Sequence, residues 1–153
     1  MTTLNKGAAE VLSRYTVHAC TDVTGFGLLG HLHEMMDGKL SCILWAEAIP
    51  ALSDALRCAE EFLLTAAAQR NRNHVAPFVR FGPGVTFALE ELLFDPQTSG
   101  GLLAAIPAGE AAALVSELRE LGLPAAEIGT ITKRGNVEIT VEEMECTHGT
   151  DTV

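Results

Sequence analysis

The length, composition and charge of the chain exclude several classes of protein. With 153 residues, of which 48% are hydrophobic, the chain is long enough for one domain with a sizeable core. Its net charge of -10 and its pI of about 4.8, without a basic run, argue against broad electrostatic binding to nucleic acid. No apolar run reaches the roughly 20 residues that a membrane span needs, and the N-terminus lacks the hydrophobic region of a signal peptide.

Hydrophobic periodicity and β-branched runs predict alternating helices and strands in the first half of the chain. The predicted elements are a helix capped by Thr2 or Thr3, a strand over 17–23, a helix over about 26–36, a strand over 40–46 and, after Pro50, a helix over about 52–66. The second of these helices ends near an Asp-Gly pair, which is typical of a helix C-terminus.

The second half of the chain begins with polar residues and ends with alternating ones. The predicted elements are a polar loop over 69–74, a turn at 82–84, a helix over 88–94, a strand over 102–106, a helix between 109 and 122, and a hairpin of 127–132 with 137–141 around a turn at 135–136. The polar tail from Glu145 is expected to fray. No repeat or linker interrupts this order, so we predict one α/β or α+β domain over residues 1–153.

The cysteines and histidines show no metal-binding pattern. The four cysteines, none of them in a C-x-x-C pair, are Cys20, Cys42, Cys58 and Cys146. We interpret them as reduced thiols of a cytoplasmic protein. Cys20 is a conceivable nucleophile, but the sequence offers no evident activating base. His31 and His33 are two residues apart and fall on different helix faces, which disfavours a zinc site.

The segment from Thr21 to His31 carries the residue types of a phosphate site, because a carboxylate and two hydroxyls precede three glycines. Glycines let backbone N–H groups approach an anion, and the N-terminus of the following helix adds partial positive charge. Asp22, at the end of a strand, is a candidate magnesium ligand. Thr21, Thr24 and Gly25 are candidates to hold phosphate oxygens.

A second glycine-hydroxyl loop precedes the strand over 102–106. Thr98 and Ser99 supply its hydroxyls, and two glycines follow them. This second loop favours a site for a metal ion and phosphate.

From the residues alone, other interpretations of these side chains stay open. The first loop is about equally well explained as an Asx or Ser/Thr turn that caps the helix. His31 is expected to pack or cap, although it is within reach of a phosphate. The run Arg70-Asn71-Arg72 is expected to be an exposed polar loop, with contact to an anionic substrate as the alternative. Asp95, before Pro96, is expected to form a turn rather than to bind metal.

A dinucleotide site competes with the metal-phosphate interpretation. Gly25, Gly27 and Gly30 match G-x-G-x-x-G, and Glu47 follows at the distance of a ribose ligand. However, Asp22 would place negative charge against a pyrophosphate. Further β-α units for a doubly wound sheet are not evident, so we favour metal and phosphate.

Two segments resemble the C-terminal half of selenide, water dikinase (selenophosphate synthetase), of the aminoimidazole ribonucleotide synthetase superfamily. They are Ala-Cys-Thr-Asp-Val-Thr-Gly-Phe-Gly-Leu-Leu-Gly-His at 19–31 and Asp-Pro-Gln-Thr-Ser-Gly-Gly-Leu-Leu at 95–103. Residues 2–6 and 128–131 also fit, so the resemblance spans nearly the whole chain. It implies an α+β sandwich in which helices pack against a mixed sheet.

The resemblance implies that ATP, selenide and water give selenophosphate, AMP and phosphate. It implies an enzyme that needs Mg2+ and is a homodimer when complete. An N-terminal ATP-binding half would carry the catalytic Cys or Sec, the catalytic Lys and further Asp ligands. We therefore expect this chain to be the C-terminal domain, inactive alone and without catalytic residues. Asp22 matches the metal-binding aspartate of this half.

The resemblance departs from the family pattern at one place. The family has a Gly-Gly-Thr loop before an Arg-Asn pair, whereas residues 64–71 keep Arg70 and Asn71 without those glycines. Two other functions remain alternatives: a non-catalytic dinucleotide-binding or regulatory module, and a related enzyme of purine or thiamine synthesis.

Overall fold

The computed structural model describes residues 3–144, in which six α-helices and six β-strands lie. The helices are α1 (Lys6–Leu12), α2 (Gly27–Met36), α3 (Ser53–Glu60), α4 (Ala66–Val75), α5 (Phe87–Phe94) and α6 (Ala108–Glu120). The strands are β1 (Ala19–Asp22), β2 (Leu40–Trp45), β3 (Val79–Phe81), β4 (Leu102–Ala105), β5 (Gly129–Lys133) and β6 (Ile139–Glu142). None of the helices in this part of the chain has the length and apolar character to cross a membrane. The predicted tail from Glu145 lies outside the described residues.

The strands form two sheets. β1 pairs with β4 in antiparallel orientation, which places Asp22 opposite Leu102. The other sheet has the order β3-β6-β2-β5, in which β6 is parallel to both β2 and β3 while β5 is antiparallel to β2. The predicted mixed sheet and α+β class are confirmed. β3 was not predicted, because three residues are too short for a reliable alternating pattern.

The main core lies between α2, α5 and the four-stranded sheet. Its most deeply buried side chains come from these elements: Leu29, Met36, Leu44, Leu93, Phe94, Ile139 and Val141. α2 buries seven of its ten residues, among them Gly27 at its start and Met36 at its end. A smaller cluster joins α1 to α6 through Val11, Leu12 and Leu114.

The predicted C-terminal hairpin is wrong. β5 and β6 lie on opposite sides of β2 and pair with it rather than with each other. The segment between them is held by the first residues of β2: Ser41 Oγ accepts from Gly135 N at 2.9 Å and donates to Val137 O at 2.7 Å. Alternation identified the strands correctly, but it carries no information about which strand is the partner.

The helix predicted over 52–66 ends early, and the polar loop predicted at 69–74 is wrong because these residues lie in α4. α3 ends at Glu60, and Phe62 adopts a left-handed φ of 58°. Thr65 then caps α4, since its Oγ1 accepts from Ala68 N at 3.0 Å. α4 buries Ala68 and Val75, and residues 69–74 between them are polar, so its apolar stripe was too narrow to indicate a helix.

Candidate functional site

The two glycine-hydroxyl loops lie side by side at one end of the β1–β4 sheet. We call residues 21–26 the first loop and residues 95–101 the second loop. Val23 N donates to Gly101 O at 2.9 Å, and Gln97 N donates to Thr24 O at 2.9 Å. The Cα of Gly100 packs so closely that a Cβ there would lie 2.0 Å from Val23 O. The fold therefore joins two motifs that are far apart in sequence.

The candidate site residues lie on these joined loops with different exposures. Asp22, Gly25, Thr98 and Ser99 are exposed, whereas Thr21 and Thr24 are partly buried. Val23 is buried directly after the last residue of β1. Asp22 ends this strand and Thr24 follows two residues later, so both lie at the end of the sheet where the two loops meet.

The side chain of Asp22 does not cap the helix that follows the first loop. α2 begins after Phe26, and no side chain caps it, so the alternative interpretation of the first loop as a side-chain helix cap is wrong. Within residues 3–144 the Asp22 carboxylate takes part in no ion pair. Its neighbour Thr21 donates to the backbone oxygen of Asp22 at 3.3 Å.

The donor atoms of the first loop suit one side of an oxygen-liganded cation. Mg2+ is bound in proteins by one or two carboxylates together with phosphate oxygens and water. An exposed carboxylate at Asp22 and a hydroxyl at Thr24 are donors of this kind. In the part of the chain that the structure describes, no three His, Cys, Asp or Glu side chains are grouped to hold a metal ion. The donor set therefore fits a cation whose remaining ligands come from phosphate, water or another polypeptide.

His31 is a buried histidine with both ring nitrogens engaged. Its Nε2 lies 3.1 Å from Thr24 Oγ1, and its Nδ1 lies 3.2 Å from Glu34 Oε2. The ring is tilted against Phe26 at a centroid distance of 5.5 Å. The expected packing role is thus present, but the ring also contacts a candidate site hydroxyl. A histidine and a carboxylate three residues apart on a predicted helix were a signal for this contact.

Asn71, predicted in an exposed loop, instead holds the first loop in place from α4. Its Nδ2 donates to Gly25 O and to Phe94 O, both at 2.9 Å. Arg72 pairs with Glu90 at 2.9 Å and lies 4.9 Å from the centre of the Phe94 ring. Asn71 and Arg72 of the run at 70–72 therefore make contacts that stabilise the fold.

Replacing Asn71 with alanine is expected to destabilise the protein by about 2 kcal/mol, because two hydrogen bonds to backbone carbonyls are lost and the one to Phe94 is partly buried. The control is Asn73→Ala on the same helix. Asn73 is exposed and accepts a 3.3 Å hydrogen bond from Gln69, so its loss should cost less than about 0.5 kcal/mol. Urea unfolding measures both. Equal midpoints for the two variants would contradict the bridging role of Asn71.

Asp95 also has a structural contact. Its carboxylate accepts from Thr65 Oγ1 at 3.1 Å, and its backbone N–H closes the last turn of α5 on Leu92 O at 3.1 Å. The expectation that Asp95 forms a turn before Pro96 agrees with this geometry. The contact ties the start of α4 to the second loop.

The described cysteines are free thiols. Burial raises the pKa of Cys42 to about 12. Desolvation, followed by the charge of Asp22, raises the pKa of Cys20. A nucleophilic cysteine needs a lowered pKa, so Cys20 lacks the activation that catalysis requires.

Alkylation tests these thiols. At about pH 8 the Cys42 thiol should resist iodoacetamide in the folded protein, because a pKa near 12 leaves almost no thiolate. Exposed Cys20 should react slowly and faster as the pH rises, since its pKa is raised. Mass spectrometry of tryptic peptides measures both rates, with urea-unfolded protein as the control. Rapid labelling of Cys42 in the folded state would contradict its burial.

The dinucleotide interpretation is wrong. It requires two adjacent parallel strands around the glycine-rich turn, whereas β1 and β2 belong to different sheets. Glu47 accepts from Met144 N at 3.0 Å and follows a strand of the other sheet. Gly27, with a φ of 70°, packs against the carbonyl of Phe94 instead.

The fold and the paired loops define an α+β domain whose glycine-rich elements meet at one end of a two-stranded sheet. The family model described as AIR synthase related protein, C-terminal domain, matches residues 1–142, and the chain belongs to this family.

Curated relatives of the chain carry the name selenide, water dikinase. The relative from Agathobacter rectalis is 55% identical over 141 residues, which is 92% of this chain and 41% of the relative. A relative from Desulfitobacterium hafniense strain Y51 is 46% identical over 134 residues, 88% of this chain and 39% of the relative. A relative from Pelobacter propionicus is 44% identical over 144 residues, which is 93% of this chain and 41% of the relative. The resemblance to the C-terminal part of selenide, water dikinases is confirmed, and the chain spans about two-fifths of the length of these relatives.

Proposed function

We propose that this chain is the C-terminal domain of an ATP-dependent selenide, water dikinase. The complete enzyme converts ATP, selenide and water into selenophosphate, AMP and phosphate. This domain completes a magnesium and phosphate site that an N-terminal ATP-binding part forms. The observation that carries the proposal is the junction of the two loops, which leaves the Asp22 carboxylate exposed and without an ion pair among residues 3–144.

Each candidate residue has a role in this proposal. Asp22 holds Mg2+, which neutralises charge on the phosphate oxygens of ATP. Thr98 and Ser99 are exposed and donate hydrogen bonds to phosphate oxygens. Gly25 lets the backbone approach the phosphates because it has no side chain. Thr21 and Thr24 contribute oxygen atoms beside Asp22.

The catalytic Cys or Sec and the catalytic Lys belong to the N-terminal part. The resemblance supports a cytoplasmic enzyme that acts as a homodimer. An acidic domain is a suitable partner for this chemistry only with a cation present, since its net charge of -10 repels phosphate.

A chimeric enzyme tests the proposal. Residues 1–142 replace the matching segment of the Agathobacter rectalis relative, and AMP formation from ATP is measured with and without selenide. We expect selenide-dependent AMP from the chimera and none from the 153-residue chain alone. The unmodified relative is the positive control. A folded chimera without activity would contradict the proposal that this domain completes the magnesium and phosphate site. AMP formation by the 153-residue chain alone would contradict the proposal that the catalytic residues lie in the N-terminal part.

A further inference from the structure

Thr24, His31 and Glu34 form a continuous chain of side-chain contacts. Glu34 and His31 are three residues apart on α2, and Thr24 precedes this helix. The backbone of Thr24 is fixed as well, because its carbonyl accepts from Gly27 N at 3.1 Å and from Gln97 N at 2.9 Å. His31 is only 7% exposed, so its ring nitrogens depend on these two side chains rather than on solvent.

The protons in this chain of contacts can be assigned in order. An ionised carboxylate only accepts hydrogen bonds, so the Nδ1 of His31 carries the proton that meets Glu34. In a neutral imidazole the other nitrogen is then an acceptor. With His31 neutral, the hydroxyl of Thr24 then donates its single proton to Nε2. The oxygen of Thr24 keeps its lone pairs and has no proton left for a phosphate oxygen.

We propose that His31, oriented by Glu34, is a positioning residue that turns the Thr24 hydroxyl proton inward. Thr24, two residues after Asp22, then presents an oxygen acceptor to a divalent cation or to water bound to that cation. This assignment rests on the proposed function for the identity of the cation. The direction of the hydrogen bond does not rest on it.

The hydroxyls of the two loops have different roles in this proposal: those of the second loop donate hydrogen bonds, and that of Thr24 accepts. Thr98 and Ser99 are exposed, and their hydroxyl protons are available to phosphate oxygens. Thr24 is partly buried and engaged by His31. Charge favours the same division, because a cation placed between the Asp22 carboxylate and a phosphate lowers the repulsion between them.

The first experiment reads the His31 tautomer in the 153-residue chain. Long-range 1H–15N spectra of 15N-histidine protein, recorded at about pH 8 where an ordinary imidazole is neutral, should show a protonated Nδ1 and a bare Nε2. His31→Gln assigns the signal. Glu34→Leu should shift the ring toward the Nε2–H form, whereas Glu34→Gln keeps an acceptor and should preserve the Nδ1–H form. A ring protonated at Nε2, or at both nitrogens, would overturn the proposal.

The second experiment uses the chimeric enzyme and measures metal preference. Thr24→Val should raise the Mg2+ concentration for half-maximal activity about fivefold, the loss expected for one interaction of hydrogen-bond strength. Thr24→Ser should restore it. Thr24→Cys should shift the preference from Mg2+ toward Mn2+ or Cd2+, because sulfur is a softer ligand.

The outcomes of the two experiments are distinguishable. If Thr24→Val and Thr24→Cys weaken ATP binding and leave the metal preference unchanged, Thr24 contacts phosphate and the proposal fails. An inactive chimera with the expected His31 tautomer counts against the proposed function while it supports the hydrogen-bond direction. An active chimera in which His31 has the other tautomer supports the proposed function and counts against the hydrogen-bond direction.

Discussion

Replacing Asp22 with asparagine in the chimeric enzyme is expected to lower kcat by about 100-fold or more at a fixed Mg2+ concentration. The amide keeps the size of the side chain and removes the charge that attracts the cation. Since Asp22 is exposed and forms no ion pair within residues 3–144, the free energy of unfolding should change by less than about 0.5 kcal/mol. Steady-state AMP formation over a Mg2+ titration, with urea unfolding beside it, measures both quantities.

Asp37→Asn is the matched control for the charge change. Asp37 ends α2 with a φ of 49° in the left-handed region, which asparagine also adopts readily. Its side chain is exposed and contacts Lys39, far along the helix from the first loop. This variant should keep both activity and Mg2+ dependence. If Asp22→Asn instead loses about 1 kcal/mol of stability, as a lost cap does, and keeps its Mg2+ dependence, Asp22 is a structural residue.

Much of the site could be predicted because its signals are local. Glycines beside hydroxyls and a carboxylate, placed between a β-branched strand and an amphipathic helix, identify the first loop within about a dozen residues of sequence. The second loop repeats that composition before an apolar strand. Helix α2 and strand β1 follow from the local pattern of apolar residues, and most residues of α2 are buried. These elements needed no information about distant partners.

The remainder depends on contacts between distant segments. The alternation favoured a hairpin of β5 and β6, but the segment between these strands crosses β2. Ser41 of β2 holds that segment by accepting a hydrogen bond from Gly135 N. Asn71 reaches Gly25 and Phe94, yet a run of arginines and asparagines reads as a loop by composition. Helix α4 has a local signal in its Thr65 cap, but it also packs against α5 and α2. These distant partners are not visible in a window of local sequence.

Gly100 of the second loop packs directly against Val23 of the first loop. Gly100→Ala is expected to destabilise the protein by about 3 kcal/mol, because overpacking forces backbone to move. A Cβ at this position would lie 2.0 Å from Val23 O and 2.9 Å from Val23 C, and neither atom can rotate away as a flexible side chain would. The second loop must then shift away from the first. Differential scanning calorimetry of the 153-residue chain measures the loss.

The adjacent glycine provides the control for this substitution. A Cβ added at Gly101 meets nothing within 4 Å, so Gly101→Ala should change stability by less than about 0.5 kcal/mol and keep the activity of the chimera. In Gly100→Ala the apparent affinity for Mg2+ and ATP should fall as well, because Thr98 and Ser99 move with the second loop. If Gly100→Ala and Gly101→Ala unfold at the same temperature, the loops are not in contact at Val23. If Gly100→Ala is destabilised but binds Mg2+ and ATP normally, the contact serves the fold, and the site does not need the second loop in this position.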